Sequence, residues 1–548
     1  MKFSAIKKLC SDGGGGLWAA TAIIAFGLAS SFPWINDFPA YIHAWAQSDW
    51  YAIALGFCNN GYDLFHPETF IYNKQFPDVW CTAYSDTITS ADMPLHGYIA
   101  ALLMGALGST APWVYRLWTL LCSLAGLWFL FLLCRRLTQS WLKALPVVLM
   151  ALTAPLYAYY FANFLPSAPA LALVMAGLWA YIRYWQDGET RYWHLGIVFL
   201  TLAALTRTSQ AVVLVAVCGF ELLRVMRHET PFWKKVPAVI VGGLAIGGYM
   251  LWNAHLKAEH GSLFLGELMP PRNVEDLRWV WHVIKGNWQY AYFGHVQQWL
   301  LVGAAVGTVV ALALRRRKAG MATTGDSRLP IVFLAAIWTF GELMFIAAMW
   351  RQFAYHDYYF LDSLWLPVLF WLALALRTIP IPQGTLWRCF IVVAMVLLSG
   401  ICYNESKHTQ QFRHAGYDMA TDCYHNYLGS DRWLDSLGIS RDARIISVAS
   451  YPQNTPFILM GRKGYSVMWF GSDADVSVIA NNAQRFPADY AVVENYLVPE
   501  HFDHYGEVLR YMLPIADNGR LTLCRITDTE VNLSAEEFFA HPRMGGGN

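Results

Sequence analysis

Apolar runs of spanning length recur along the chain, at 17–34, 113–134, 142–162, 166–185, 193–206, 208–226, 236–254, 298–314, 330–350, 359–377 and 386–403. A helix that crosses a bilayer needs roughly 20 residues, so the pattern predicts a polytopic all-α membrane bundle of about eleven helices. The runs 193–206 and 208–226 are short enough to be one long helix instead, and the basic residues decide between these. Lys7 and Lys8 precede the first run, and Arg135, Arg136 and Lys143 follow the second. Arg183 and Arg191, then Arg224, Arg227, Lys234 and Lys235, then RRRK at 315–318, then Arg377 and Arg388 follow at later turns. With about eleven spans every cluster falls on one side, the cytoplasmic one by the positive-inside rule. A merged helix would put the later clusters on the wrong side. The start, MKFSAIKK before an apolar run from Leu17, is read as an uncleaved first span rather than a signal peptide, although Leu28-Ala29-Ser30 has a cleavage-site look.

This topology puts three segments outside: the loop 35–98, the loop 255–297 and everything after Tyr403. Within the first loop, FPAYIHAWAQSDWYAIALGF and PLHGYIAALLMGAL are expected as amphipathic helices at the interface. After Tyr403 the composition turns polar for about 145 residues, enough for one small domain. ARIISVAS at 443–450, DYAVVENY at 489–496 and RLTLCRIT at 520–527 have β-type runs separated by helix-like and turn-rich pieces. The expected organisation is a membrane domain over 1–403 and a soluble extracytoplasmic α/β domain over 404–548. No glycine-rich phosphate loop follows a strand, and no internal repeat is visible.

Composition sharpens the class. Charged residues are only 14% of the 548, against about 25% in soluble chains. A formal charge of +1 supplies no basic face for a nucleic acid. The 25 Trp and 29 Tyr suit two crowded membrane–water interfaces. Ten cysteines form no CxxC pair; outside the cytoplasm Cys58 with Cys81 and Cys423 with Cys524 are open to pairing, with free thiols as the even alternative. The expected location is the cytoplasmic (inner) membrane, multi-pass, with the C-terminal domain on the periplasmic side.

The polar and aromatic residues concentrate in the segment from Trp34 to Tyr98, and a long loop of that kind between spans is more often functional than idle. Asp37, a few residues past the first span, sits where partial desolvation tunes a carboxylate for base or electrostatic work. The competing reading is a cap for the helix that follows. The order of Asp37 and Tyr41, then Asp49-Trp50, then Pro94, Leu95 and Tyr98 resembles the GT-C membrane glycosyltransferases. Within them it is similar to the branch of the protein O-mannosyltransferases and the lipid A aminoarabinose transferase. The resemblance covers residues 1–403 and implies a polyprenyl-phosphate sugar donor, a protein, lipid or glycan acceptor, and transfer at the extracytoplasmic face. It makes Asp37 the general base toward an acceptor hydroxyl, or a ligand of a divalent cation near the leaving phosphate.

Such a reaction needs a carboxylate on one side and cations on the other. Tyr41 belongs to the donor side by the same motif. Arg207, in LTRTSQ between two apolar runs, is expensive without a partner; a donor phosphate is favoured over a structural salt bridge. Arg272 and Arg278 in the second outer loop are further candidates, with a solvated surface as the default. In MWRQFAYHDYYFL, His356, Tyr358 and Tyr359 resemble the family pattern for phosphate or sugar contact, against an aromatic-belt alternative. The second acid that relatives carry before the fourth span is missing, since NFLPSAPAL places Asn163 and Ser167 there. Asp49, Asp92 and His43 are the candidates for a second acidic or acceptor-side group. A transporter or flippase of lipid-linked saccharides is the alternative function, for which broken, charged mid-membrane helices or inverted repeats would be expected.

Overall fold

The computed structural model describes residues 15–319, 329–382, 384–415, 419–468, 486–496 and 498–540. The helices used below, in chain order, are α1 (Gly15–Ser31), α2 (Ala44–Asn59), α3 (Leu95–Leu107), α4 (Pro112–Thr138), α5 (Trp141–Thr153), α6 (Pro155–Tyr160), α7 (Ser167–Asp187), α8 (Thr190–Thr206), α9 (Ala211–Met226), α10 (Val236–His260), α11 (Val274–Val283), α12 (His295–Ala319), α13 (Leu329–Ala348), α14 (Trp365–Thr378), α15 (Thr385–Ala415) and α16 (Met419–Tyr427). Every apolar run lies mainly on helix, and the run 359–377 is interrupted at 362–364. Among the described residues seven helices are long and apolar enough to cross a membrane by length and composition, with Leu95–Leu107, Trp141–Thr153 and Trp365–Thr378 as shorter apolar helices. The run 142–162 is split because Pro155 has no amide to carry the helix through Ala154.

By packing, the chain divides into two units: residues 1–35, 116–250 and 267–412, and residues 36–115, 251–266 and 413–548. The first unit is the helical bundle. Its α7 and α8 approach closely at glycines: a Cβ on Gly177 would lie 2.7 Å from Leu200, and one on Gly196 would lie 3.2 Å from the Gly177 carbonyl. Its basic clusters gather at one end. Arg136 pairs with Asp187 at 3.0 Å, Lys143 donates to the Ile379 carbonyl at 2.6 Å, and Arg315 donates to the Thr378 carbonyl at 2.9 Å. Helix α1 begins beside Trp141, at that same end, and runs away from it. The run 193–226 is two helices, parted at Arg207, whose φ of −148° and ψ of 108° are extended.

The second unit is built on a five-stranded mixed sheet of order β2-β1-β3-β5-β4, with β1 Ile445–Ser450, β2 Gly464–Met468, β3 Tyr490–Glu494, β4 Met512–Asp517 and β5 Leu521–Ile526. β1 is parallel to β2 and β3, while β5 runs antiparallel to β3 and β4. The three β-type runs of the sequence are β1, β3 and β5. The β2 edge is not open. The Tyr72 amide donates to the Gly464 carbonyl at 2.9 Å, and the Gly464 amide to Phe70 at 3.0 Å. Asn73 exchanges side-chain hydrogen bonds with Ser466, 2.8 Å to its carbonyl and 2.9 Å from its amide. Part of the first loop thus lies along the edge of the C-terminal sheet through an isolated bridge between Ile71 and Gly464, which satisfies backbone groups that an edge would otherwise expose.

Two expectations change, and of the two even readings of the cysteines the free-thiol one is found. Residue 403 lies inside the continuous helix α15, which runs on to Ala415. Helix α2 is not a surface helix with one wet face, because Gln47 through Phe57 are all buried. Cys58, Cys81, Cys423 and Cys524 are free thiols, and burial raises the Cys58, Cys81, Cys423 and Cys524 pKa values.

Candidate functional site

Asp37 is half-buried in the loop before α2. It is not the cap of that helix: His43 holds the N-cap position, and its carbonyl accepts the Gln47 amide at 3.0 Å. Tyr41 and His43 both adopt the left-handed region, with φ of 65° and 57°. Non-glycine residues reach it at a cost of about 1–2 kcal/mol each, and such strain persists where the surroundings over-determine it, commonly at functional loops. The turn brings the Tyr41 ring to 5.5 Å, edge-on, from the His414 ring. His414 Nδ1 is 3.5 Å from Asp37 Oδ2, and the histidine side chain is only 5% exposed. Phe38 stacks on Tyr424 of α16 at 5.0 Å. Burial first, then Asp37, raises the Tyr41 and Tyr424 phenols above their ordinary range, so both stay neutral hydrogen-bonding groups at physiological pH. Neither His414 nor Tyr424 was expected from sequence. Both lie beyond the last apolar run, in a polar stretch where no local pattern marks a contact with residue 37.

Asp49 has a different environment. Its side chain is buried, and Gln453 Nε2 donates to both carboxyl oxygens at 2.8 and 3.0 Å while Asn454 Nδ2 donates to one at 2.8 Å. Burial pushes its pKa up to about 8, against those hydrogen bonds and Lys74, which favour the ion. Its oxygens are committed to the sheet-side segment 453–454. Asp92 is half-buried just before α3.

The other residues expected from sequence lie in the first unit. Arg207 has a protein partner: its Nε is 2.7 Å from Asp362 Oδ2, with side-chain exposures of 17% and 0%. That ion pair offsets the cost of burying the Asp362 carboxylate. The guanidinium also stands 5.5 Å and 5.9 Å from the Tyr358 and Tyr359 rings. Tyr358 and Tyr359 stack on each other at 5.3 Å, with the His356 ring 5.2 Å from Tyr358. Asp357 accepts a 2.7 Å hydrogen bond from Tyr160. This cluster lies at the end of α8 away from the basic residues. Arg272 is exposed and paired with Asp276 at 3.2 Å, the solvated alternative. Among the described residues no three His, Cys, Asp or Glu side chains assemble as a metal site. Asp37 and His414 would supply two ligands, against the roughly three protein ligands of a catalytic zinc.

A helical membrane bundle with a long polar loop after its first helix and a small C-terminal sheet is the architecture of the GT-C glycosyltransferases, and the chain has that fold. The family model for dolichyl-phosphate-mannose-protein mannosyltransferases matches residues 91–253. Among solved structures, ArnT from Cupriavidus metallidurans bound to undecaprenyl phosphate is similar with a TM-score of 0.55 and 12% identity, over 92% of this chain and 97% of that one. The Archaeoglobus fulgidus oligosaccharyltransferase in complex with Zn and sulfate gives 0.51 and 11%, over 94% and 74%. The arabinofuranosyltransferase AftD from Mycobacteria gives 0.53 and 14%, over 93% of this chain and 40% of that one. A comparison with curated proteins gave no match.

Proposed function

We propose that this protein is an integral membrane glycosyltransferase that moves a sugar from a polyprenyl-phosphate donor to an acceptor hydroxyl at the extracytoplasmic face. The observation that carries the reading is the Asp37 cluster: a half-exposed carboxylate on a strained loop after the first span, beside His414, Tyr41 and Tyr424, in a chain with the GT-C fold. In the proposed step the acceptor oxygen attacks the anomeric carbon. The bond from that carbon to the phosphate oxygen breaks, and polyprenyl phosphate leaves with the electron pair. Asp37 takes the acceptor proton. The gathering of basic residues at one end of the bundle supports a cytoplasmic assignment for that end. Arg207, with Tyr358, Tyr359 and His356, is proposed for the donor phosphate and sugar, at the opposite end of the bundle.

The test is transfer of labelled mannose or arabinofuranose from undecaprenyl phosphate by membranes carrying wild type or Asp37→Asn. The exchange removes the proton acceptor with little change of shape, so transfer is expected to drop at least about 100-fold at equal insertion and thermal stability. Equal transfer by both would remove Asp37 from the chemistry. Absence of transfer from either preparation would turn the reading toward a flippase of lipid-linked saccharides.

A further inference from the structure

We infer that His414 is the positioning residue of the proposed base: it holds the Asp37 carboxylate in the orientation that receives the acceptor proton. The inference rests on the glycosyltransferase reading of the Asp37 loop. It starts from geometry. Asp37 sits on an irregular segment rather than on a helix or strand, so its alignment depends on side-chain contacts; a displacement of about 1 Å costs on the order of 100-fold in rate. His414 is the reverse. It sits in the last turn of α15, a helix of 31 residues, and its side chain is nearly fully buried at 5% exposure. A buried imidazole on a helix, with its Nδ1 3.5 Å from the carboxylate oxygen, is a fixed reference for an acid on an irregular loop. That separation is slightly beyond a hydrogen bond, and such contacts commonly tighten when substrate is bound.

The surroundings of His414 point the same way. Tyr41 meets its ring edge-on at 5.5 Å, and that contact is made by a residue in the left-handed region. Asp37 and Tyr41, at either end of the segment DFPAY, therefore converge on one histidine. Phe38 between them is anchored separately, on Tyr424. The base is thus oriented from the end of α15, although the loop that carries it follows α1. The chemical logic is that of a nucleophile or base oriented by a third group, with the ring edge of Tyr41 and the imidazole of His414 supplying direction.

The experiment compares wild type, His414→Gln, His414→Ala and His414→Phe in the transfer assay, with detergent-state melting measured for each. Gln keeps a hydrogen-bond donor near the place of the imidazole nitrogen; Phe keeps the ring volume and removes the donor. The expected result is a kcat lowered about 10- to 100-fold in the Ala and Phe variants with the donor KM within twofold, and recovery of most of the rate in the Gln variant. Phe with wild-type kcat would overturn the inference, because packing alone would then suffice. So would a Gln variant as slow as Phe with an equal fall in melting temperature, which would make His414 a structural residue. The underlying reading fails separately, through wild type that transfers no sugar at all.

Discussion

Asp37 and Asp49 belong to the same outer segment and make opposite predictions. Asp37 is half-exposed beside an imidazole, whereas Asp49 is buried under Gln453 and Asn454. Asp49→Asn should therefore keep transfer within a few-fold of wild type, where Asp37→Asn abolishes it. The two acids also separate by pH. The Asp49 carboxyl ionises near 3.8 when unfolded and near 8 when folded, because burial opposes the charge. Across that window the folded chain holds more protons than the unfolded one, so this group lowers stability as pH rises from about 4 to about 8, and its effect is level above. Lys74, lowered to about 7 from 10.5 by burial, acts in the other direction between those values. The variant isolates the Asp49 part: its melting temperature relative to wild type should climb steadily between pH 5 and pH 8. A flat difference would show that Asp49 is ionised in the fold at every pH tested. Loss of transfer in Asp49→Asn would return it to the site.

At the scale of elements, the break between α8 and α9 is where a charge could be placed at low cost, and Arg207 sits in it, paired with Asp362. Arg207→Met alone takes the ion-pair partner from a fully buried carboxylate, a loss of roughly 3–5 kcal/mol. Arg207→Met with Asp362→Asn removes both charges and should recover most of that stability. If Arg207 also engages the donor, the recovered double variant still shows a raised donor KM. A double variant with wild-type KM would make the pair purely structural. The break itself was legible in LTRTSQ, because a charge between two short apolar runs must find a partner. The partner was not legible, since Asp362 lies 155 positions away and hydropathy patterns report only local neighbours. Strand β4 escaped for another reason: it carries Pro514 at a sheet edge, where proline is tolerated although it argues against a strand in sequence. The apolar helices and β1, β3 and β5 were legible because each buries a continuous face. His414 and Tyr424 were not, for they owe their place to the loop they touch.

At the scale of the whole molecule, the loop that carries the proposed base is fixed by the last hundred residues of the chain. Its segment 70–73 is hydrogen-bonded along β2, Lys463 reaches Glu68 at 2.6 Å and Thr87 at 2.9 Å, and Asn454 holds both Asp49 and the Phe70 amide. Gly464 is the point where this seam is thinnest. Its amide and carbonyl both pair with the loop, and a Cβ there would overlap the Ile445 carbonyl and approach the Phe457 ring to 2.7 Å. Gly464→Val must therefore push β2 away from β1 and disturb its pairing with the loop, at a cost of roughly 1–3 kcal/mol or more. The expected outcome is faster proteolysis within residues 68–90 and loss of transfer, with the helical bundle still inserted. The cleavage map is the deciding measurement. Cuts confined to the C-terminal sheet, with the loop protected and transfer intact, would mean that the loop is held by contacts other than this seam. Cuts in the loop accompanied by lost transfer would tie the geometry of Asp37 to a bridge between Ile71 and Gly464, almost four hundred residues apart in sequence.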